Sequence, residues 1–443
     1  MNWCRSPAPP ANKRKEPVMT IFVFVGSLLG AMSLGMPIAF ALLASGVALM
    51  LHLGNFDTQI LAQNMLEGVN NYPLMAVPFF MLAGELMNAG GLSQRIVRVA
   101  DAAVGHVRGG LGYVAIIAAT VVASISGSAV ADTAAVAALL IPMMRNAGYN
   151  VPRAAGLIAA GGIIAPVIPP SIAIVVFGVV AQVSITKLFL AGIAPGAMMA
   201  LTLAVTWHFC ARKEKLAPTE PFDARRLARA ALDGIWALVL PVVIIGGMKI
   251  GAFTPTEAAV VAVVYAMVVG RFVYGELKLR ALPELIVSAA KTSSTVLFLV
   301  ACALVSAWLI TIANIPAQVT DLLEPFIDNK ILLMFIIMIL VIAVGTALDL
   351  MPTVLIMTPI LMPVITKAGI DPVYFGVMFV LNNAIGLLTP PVGTVLNVVA
   401  GTSRCSLDSV IGGVWPFLLS LTALMFLFVL FPQLILVPAA WLH

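Results

Sequence analysis

The stretch Ile163-Ile-Ala-Pro-Val-Ile-Pro-Pro170, preceded by Pro142-Met-Met-Arg-Asn-Ala-Gly148 and Pro152, returns in the second half of the chain as Ile385-Gly-Leu-Leu-Thr-Pro-Pro391, preceded by Pro363-Val-Ile-Thr-Lys-Ala-Gly369 and Pro372. The anchors keep their order at an offset of 220 or 221 residues. Upstream of each lies a polar interruption that holds a carboxylate: Ser124-Ile-Ser-Gly-Ser-Ala-Val-Ala-Asp-Thr133 in one copy and Gly345-Thr-Ala-Leu-Asp-Leu-Met-Pro-Thr353 in the other. One structural unit is therefore used twice.

Working outward, both copies sit in a 443-residue chain that is 61% hydrophobic and only 10% charged, which excludes an ordinary soluble protein. Apolar runs long enough for membrane helices recur from Thr20 to Leu430, and period-two alternation is absent, so the class is an all-α polytopic membrane protein and not a β-barrel. Twenty-four basic residues against nineteen acidic ones give a net charge of +5, and the positive charges sit in short connections, where they set orientation and form no nucleic-acid patch. Cys4, Cys210, Cys302 and Cys405 show no ligand spacing, and His52, His106, His208 and His443 do not cluster. With no phosphate-binding loop either, neither a metal hydrolase nor an ATPase is written here.

Charge decides how the copies are related. Arg95, Arg98 and Arg108 precede the first interruption and Arg145 and Arg153 follow it, which puts both flanks in the cytoplasm. The second is flanked by Asp321, Glu324, Asp328 and Lys330, then by Lys367 and Asp371, a net-acidic set suited to the outer face. The loop from Arg212 to Arg229 carries six basic and three acidic residues and reads as cytoplasmic. The repeats are thus inverted: residues 19–211 form the first, 212–230 a cytoplasmic linker and 231–443 the second. Residues 109–123 as a helix reach roughly 22 Å, short of a hydrocarbon core of about 30 Å. The spacing therefore predicts a re-entrant hairpin over 109–147 that turns at Ser126-Gly127-Ser128, and another over 331–366 with its tip near Gly345 to Thr353. Broken helices are expected over 152–181 and 372–400. The amphipathic connections Gly91 to Arg108 and Tyr274 to Lys291 are expected to lie along the interface and link scaffold to core.

Residues 1–18 differ from everything after them: polar, proline-rich and basic. Lys13-Arg14-Lys15 before an apolar run imitates a secretory signal, with Ala31-Met32-Ser33 as a cleavage site, but the run continues past that site. The change at Met19 leaves open whether translation starts at Met1 or Met19. Symmetry places the N-terminus outside, against the basic tail.

Proline at 169–170 and 390–391 neither donates a backbone hydrogen bond nor tolerates a preceding helical turn, so each segment is discontinuous. The carbonyls of Ala165 and Pro166, and of Gly386 and Leu387, are expected to lose their partners. Freed carbonyls beside hydroxyls suit a sodium-type cation, while half-helix N-termini suit an anion. Ser124, Ser126, Ser128, Thr133 and Ser171 supply side-chain oxygens in one half; Thr346, Asp349, Thr353, Thr389, Thr394 and Asn397 do so in the other. Asp132 and Asp349 are the carboxylates within the tips, and helix capping is the rival role for each. Asn382 and Asn383 read equally as ligands or interhelical hydrogen bonds, Glu257 as a cap and Glu85 as a scaffold contact.

Ser126-Gly-Ser-Ala-Val-Ala-Asp-Thr-Ala134, Ala165-Pro-Val-Ile-Pro-Pro-Ser171 and Leu388-Thr-Pro-Pro-Val-Gly393, with Gly35-Met-Pro-Ile-Ala39, resemble the large membrane subunit of tripartite ATP-independent periplasmic (TRAP) transporters. The resemblance runs from Met19 to the C-terminus and is closest in texture to the branch for sugar acids such as 2,3-diketo-gulonate, with C4-dicarboxylates and sialic acids still open because selectivity in such systems resides largely in the separate binding protein. It implies the ion-transporter fold, a sodium-driven elevator in the bacterial inner membrane, a four-helix small membrane subunit and a periplasmic solute-binding protein that delivers an organic acid. No cofactor beyond sodium ions is implied. By the resemblance, Ser126, Ser171 and Asp349 are substrate-region positions. The two hairpin-plus-break constellations look like sodium sites, with Ser124, Gly127, Ser128, Asp132, Ala165 and Pro166 in one and Thr346, Thr353, Gly386, Thr389 and Thr394 in the other. The extension at 1–18 departs from the pattern. A stand-alone ion-coupled carboxylate symporter is the alternative. A membrane enzyme would need a general base or nucleophile pair, which the hydroxyl-rich tips do not offer.

Overall fold

The computed structural model describes residues 16–54, 56–214, 216, 221–346, 348–390 and 392–442. The basic extension up to Lys15 and the second proline of the later pair, Pro391, lie outside the described residues. Every regular element among them is a helix.

In the first half the chain forms α1 (Glu16–Ser33), α2 (Ile38–His52), α3 (Thr58–Val69), a 3-10 turn (Tyr72–Met75) and α4 (Ala76–Ala89). It continues with α5 (Leu92–Val104), α6 (Gly110–Ser126), α7 (Ala129–Asn146), α8 (Val151–Gly162), α9 (Ile172–Ala181) and α10 (Ile185–Lys213). The second half comprises α11 (Ala224–Lys249), α12 (Pro255–Val268, extended by a π turn to Val273), α13 (Leu282–Ile312) and α14 (Ile315–Leu323). After these come α15 (Lys330–Gly345), α16 (Leu350–Lys367), α17 (Pro372–Gly386), α18 (Thr394–Ser403), α19 (Leu407–Leu430) and α20 (Gln433–Leu442). Six helices or helical stretches are long and apolar enough to cross a bilayer among the described residues. The 17-residue α6 and 16-residue α15 reach roughly 25 Å, too short to cross and turn back outside.

The two halves interlock. α12 packs on α4 as α2 packs on α13, and α18 clasps α7 as α9 clasps α16. Each hairpin thus leans on a half-helix of the other copy, which carries both tips into one interior region. Glycines permit the closest crossings: a methyl added at Gly386 would lie 3.0 Å from the Gly345 carbonyl oxygen, and one at Gly90 3.0 Å from the Gly270 Cα.

The repeats differ where proline does. Asn70-Asn71-Tyr72-Pro73 breaks α3 from α4, whereas the corresponding Lys291-Thr292-Ser293-Ser294 lies inside the continuous 31-residue α13. The expected interfacial helix over Tyr274 to Lys291 is therefore not formed. Its N-terminal part is a connection and its C-terminal part opens α13; the positional counterpart of α5 is α14. The stretch from Gly91 does form an amphipathic helix, α5, bent 64° from the segment before it.

Arg95 pins α5 to the scaffold. Buried on that helix, it donates to Glu276 (2.8 Å) and to the Gly91 carbonyl (3.0 Å) and pairs with Asp233 (3.3 Å), with its guanidinium 3.7 Å from the Tyr274 ring centroid. Removing the guanidinium leaves two carboxylates facing each other, but both are partly exposed, so the cost is about 1–3 kcal/mol and not the full figure for a buried pair. Arg95→Gln is expected to lower the thermal unfolding midpoint of the detergent-solubilised protein by several degrees; an unchanged midpoint refutes the anchoring role. In the second half Lys367 holds Glu324 below the usual carboxylate range, first through its hydrogen bond and then through its charge.

Candidate functional site

Hairpin 1 is α6 and α7 joined through Gly127 and Ser128. Gly127 adopts φ +64°, and a side chain there would meet the Pro170 carbonyl and lie 2.9 Å from the Ser171 Cα. The tip therefore rests on the backbone of the first break. Ser128 caps α7 by accepting the Ala131 amide, and the Ser126 hydroxyl donates to the Asp132 carboxylate. Asp132 is almost wholly buried, and its second oxygen has no partner. Ser124 is turned back onto its own helix, donating to the Val121 carbonyl (2.6 Å).

Between α8 and α9, residues 163–171 are irregular, with a cis peptide at Pro169–Pro170. The Pro166 carbonyl is not free, as Pro-Pro breakage alone suggests. Ser171 donates to it (2.5 Å) while accepting the Ile174 amide (3.2 Å), so one hydroxyl both closes the break and caps α9. No hydrogen bond to the Ala165 carbonyl occurs among the described residues.

Hairpin 2, α15 and α16, turns before Asp349, which stands at the N-cap of α16 without making a side-chain capping bond. Thr394, the first residue of α18, donates to Asp349 at 3.5 Å and so links the second tip to the second break. Here too a carbonyl expected to be free is taken: Gly386 accepts the Thr389 amide (3.0 Å) as the chain tightens past the helix end, while none is found to Leu387 among the described residues. Thr346, Thr353 and Thr389 bond to the carbonyls of Ala343, Asp349 and Ile385. Asn382 donates to Met338 on α15 and Asn383 to Phe379 on its own helix; both amide oxygens are buried and unpartnered. Glu257 forms a capping box with Thr254.

A cavity of about 190 Å³ joins the two constellations. It is lined by Gly127 and Ser128 from hairpin 1, Asp349 from hairpin 2, and Pro166 and Leu387 from the two breaks. Three helices begin at its wall, each contributing its first two residues: Ala129 and Val130 of α7, Ile172 and Ala173 of α9, Leu350 and Met351 of α16. First-turn amides have no partner inside their own helix, and each helix start carries roughly half a positive elementary charge. No Lys, Arg or His lines the cavity among the described residues. An adjoining cavity of about 160 Å³ holds Ser126 and shares Ser128 with the first. Of the residues singled out from sequence, Ser126, Gly127, Ser128, Pro166 and Asp349 line one or both. Ser124, Asp132, Ala165, Ser171, Thr346, Thr353, Gly386, Thr389 and Thr394 are not among the lining of either cavity.

Sequence reading misses most of the scaffold's share. Met81 of α4 and Thr292 and Val296 of α13 complete the first cavity, and Glu85 and Asn88 enter the second. Of these residues it singles out only Glu85, as a scaffold contact. A signal exists for Thr292: the run Lys291-Thr-Ser-Ser-Thr295 is a polar patch inside a spanning helix. Among the described residues no group of three or more His, Cys, Asp or Glu could hold a metal ion.

A family profile described as "Tripartite ATP-independent periplasmic transporter, DctM component" matches residues 25–434. The chain is 54% identical to the 2,3-diketo-L-gulonate TRAP transporter large permease protein YiaN of Escherichia coli K12, over 96% of this chain and 100% of that protein. It is 38% identical to the sialic acid TRAP transporter large permease protein SiaM of Vibrio cholerae, over 92% and 96% respectively. Among solved structures, the YdaH transporter of Alcanivorax borkumensis, described as having an unusual topology, superposes with a TM-score of 0.63 at 13% identity, covering 93% of this chain and 97% of that one. That likeness concerns the fold alone.

Proposed function

Because the chain belongs to the DctM-component family of tripartite ATP-independent periplasmic transporters, a multi-pass membrane permease and not an enzyme, we propose that it carries a sugar acid inward across the bacterial inner membrane in symport with sodium. In this reading a periplasmic solute-binding protein delivers the substrate and a small four-helix membrane subunit flanks the scaffold. The hairpins and broken helices move together against the scaffold as an elevator. The sugar-acid class follows the relative named for 2,3-diketo-L-gulonate.

The observation that carries the proposal is the cavity at which three helix starts meet Asp349 with no basic side chain among the described residues. Three helix starts offset roughly one and a half negative charges. Asp349 and a substrate carboxylate bring two, so the loaded site needs a cation. Main-chain and hydroxyl oxygens at two breaks are hard donors that suit sodium. The buried Asp132, with one oxygen unpartnered, is a second point where a cation offsets charge.

The test is uptake of labelled 2,3-diketo-L-gulonate into proteoliposomes holding this chain and its small subunit, with binding protein added outside. Uptake is expected only with both the binding protein and an inward sodium gradient. Uptake that ignores sodium overturns the coupling; uptake without binding protein favours the stand-alone symporter.

A further inference from the structure

We propose that Glu85, on the scaffold, gives the coupling cation a second and transient holding point where it leaves hairpin 1 on the cytoplasmic side. The inference rests on the sodium-coupled reading above and concerns a residue outside the hairpins and breaks.

Scaffold and tip meet directly. A methyl added at Gly84 of α4 would lie 3.0 Å from the Ser126 Cβ, so α4 touches the tip of hairpin 1 at this point. The next residue, Glu85, faces the cavity of about 160 Å³ together with Asn88, Ser126, Ser128 and Thr292. One carboxylate and three hydroxyls are hard oxygen donors, the set that suits an alkali cation better than a transition metal, while the Asn88 amide oxygen beside them accepts from Ser93 (2.5 Å). Glu85 accepts one hydrogen bond, from Ser288 of α13 (2.9 Å), and forms no ion pair among the described residues. An acid here repels the anionic substrate and attracts its co-transported cation.

Ser126 supplies the connection. It lines this cavity and also donates to Asp132, the buried acid inside the hairpin. A cation leaving Asp132 therefore meets the Ser126 oxygen and then the Glu85 vestibule. The volume has room for about five waters at their liquid share of roughly 30 Å³ each, so the ion is held there partly hydrated and weakly. Weak binding is what a way station requires: favourable enough to enter, shallow enough to leave. The vestibule lies at the end of α4 that leads into α5 with Arg95 and Arg98, and at the start of α13 after Arg271, Lys278 and Arg280. Those basic residues mark the cytoplasmic side.

The experiment uses the complete reconstituted system, in which binding protein added outside selects one orientation of the permease. Sodium is varied separately outside and inside the vesicles. Glu85→Gln is expected to raise the internal sodium that half-inhibits uptake by roughly three- to tenfold, and to shift external half-saturation less than twofold. Glu85→Asp should restore most of the internal sensitivity. Equal shifts on both sides, or none on either, with sodium-dependent wild type, overturn this inference alone. Wild-type uptake indifferent to sodium on both sides overturns the coupling reading and this inference with it.

Discussion

Asp349→Asn will lower sodium-driven uptake roughly a hundredfold or more while the protein still folds. Asparagine keeps the size of the side chain and its ability to accept from Thr394, which lies 3.5 Å away. What disappears is the charge. Asp349 stands at the start of α16 without capping its own helix, so little local structure depends on it. In a cavity walled by three helix starts, losing one member of a cation–carboxylate pair costs about 3–5 kcal/mol, or a factor of roughly 10² to 4 × 10³. Initial rates in proteoliposomes under an imposed sodium gradient measure the effect, and a thermal melt in detergent verifies the fold. Uptake within twofold of wild type would remove Asp349 from the mechanism.

Gly127→Ala will reduce uptake more than tenfold, far beyond what its backbone conformation alone predicts. At φ +64° an alanine is strained by roughly 1–2 kcal/mol. Steric conflict costs more, because the added methyl meets the Pro170 carbonyl and the Ser171 Cα. These are backbone atoms of the break, fixed in turn by the Ser171 hydroxyl bonded to Pro166, and they have no flexible end to give way. Gly148→Ala separates strain from clash. Gly148 has φ +77° but nothing within 4 Å of the new methyl, so that variant carries the backbone strain alone. The prediction is a clear gap in uptake between the two variants at similar expression; equal losses would show that the seat of hairpin 1 on the break is unimportant.

Much of the architecture is legible because its causes are local. Pro169-Pro170 removes a donor and forbids a turn wherever it sits, and the broken region does span 163–171. Gly127 between two serines marks a reversal that only a residue without Cβ makes cheaply, and α6 and α7 meet there. The same local logic goes astray at Tyr274 to Lys291. Charge spacing alone suggests a surface helix, but with no proline to end it the chain runs on through Ile312 as a single helix.

The candidate site is another matter. Its lining is legible in sequence on the hairpins and breaks and at Glu85; Met81, Asn88 and Val296 come from helices distant in sequence and carry no motif, and Thr292 is marked only by the polar run around it. Nor does any local pattern reveal that Ser171 takes up the Pro166 carbonyl, or that Thr394 reaches Asp349 across forty-five residues. Sequence by itself determined the doubling of the unit, the points where helices stop and the hydroxyls gathered around them, since proline, glycine and hydropathy act within a few neighbours. Only the tertiary structure decided which oxygens stay free and which scaffold side chains face the tips. Those depend on how the interlocked halves pack, and helix packing is chosen by shape across the whole interface.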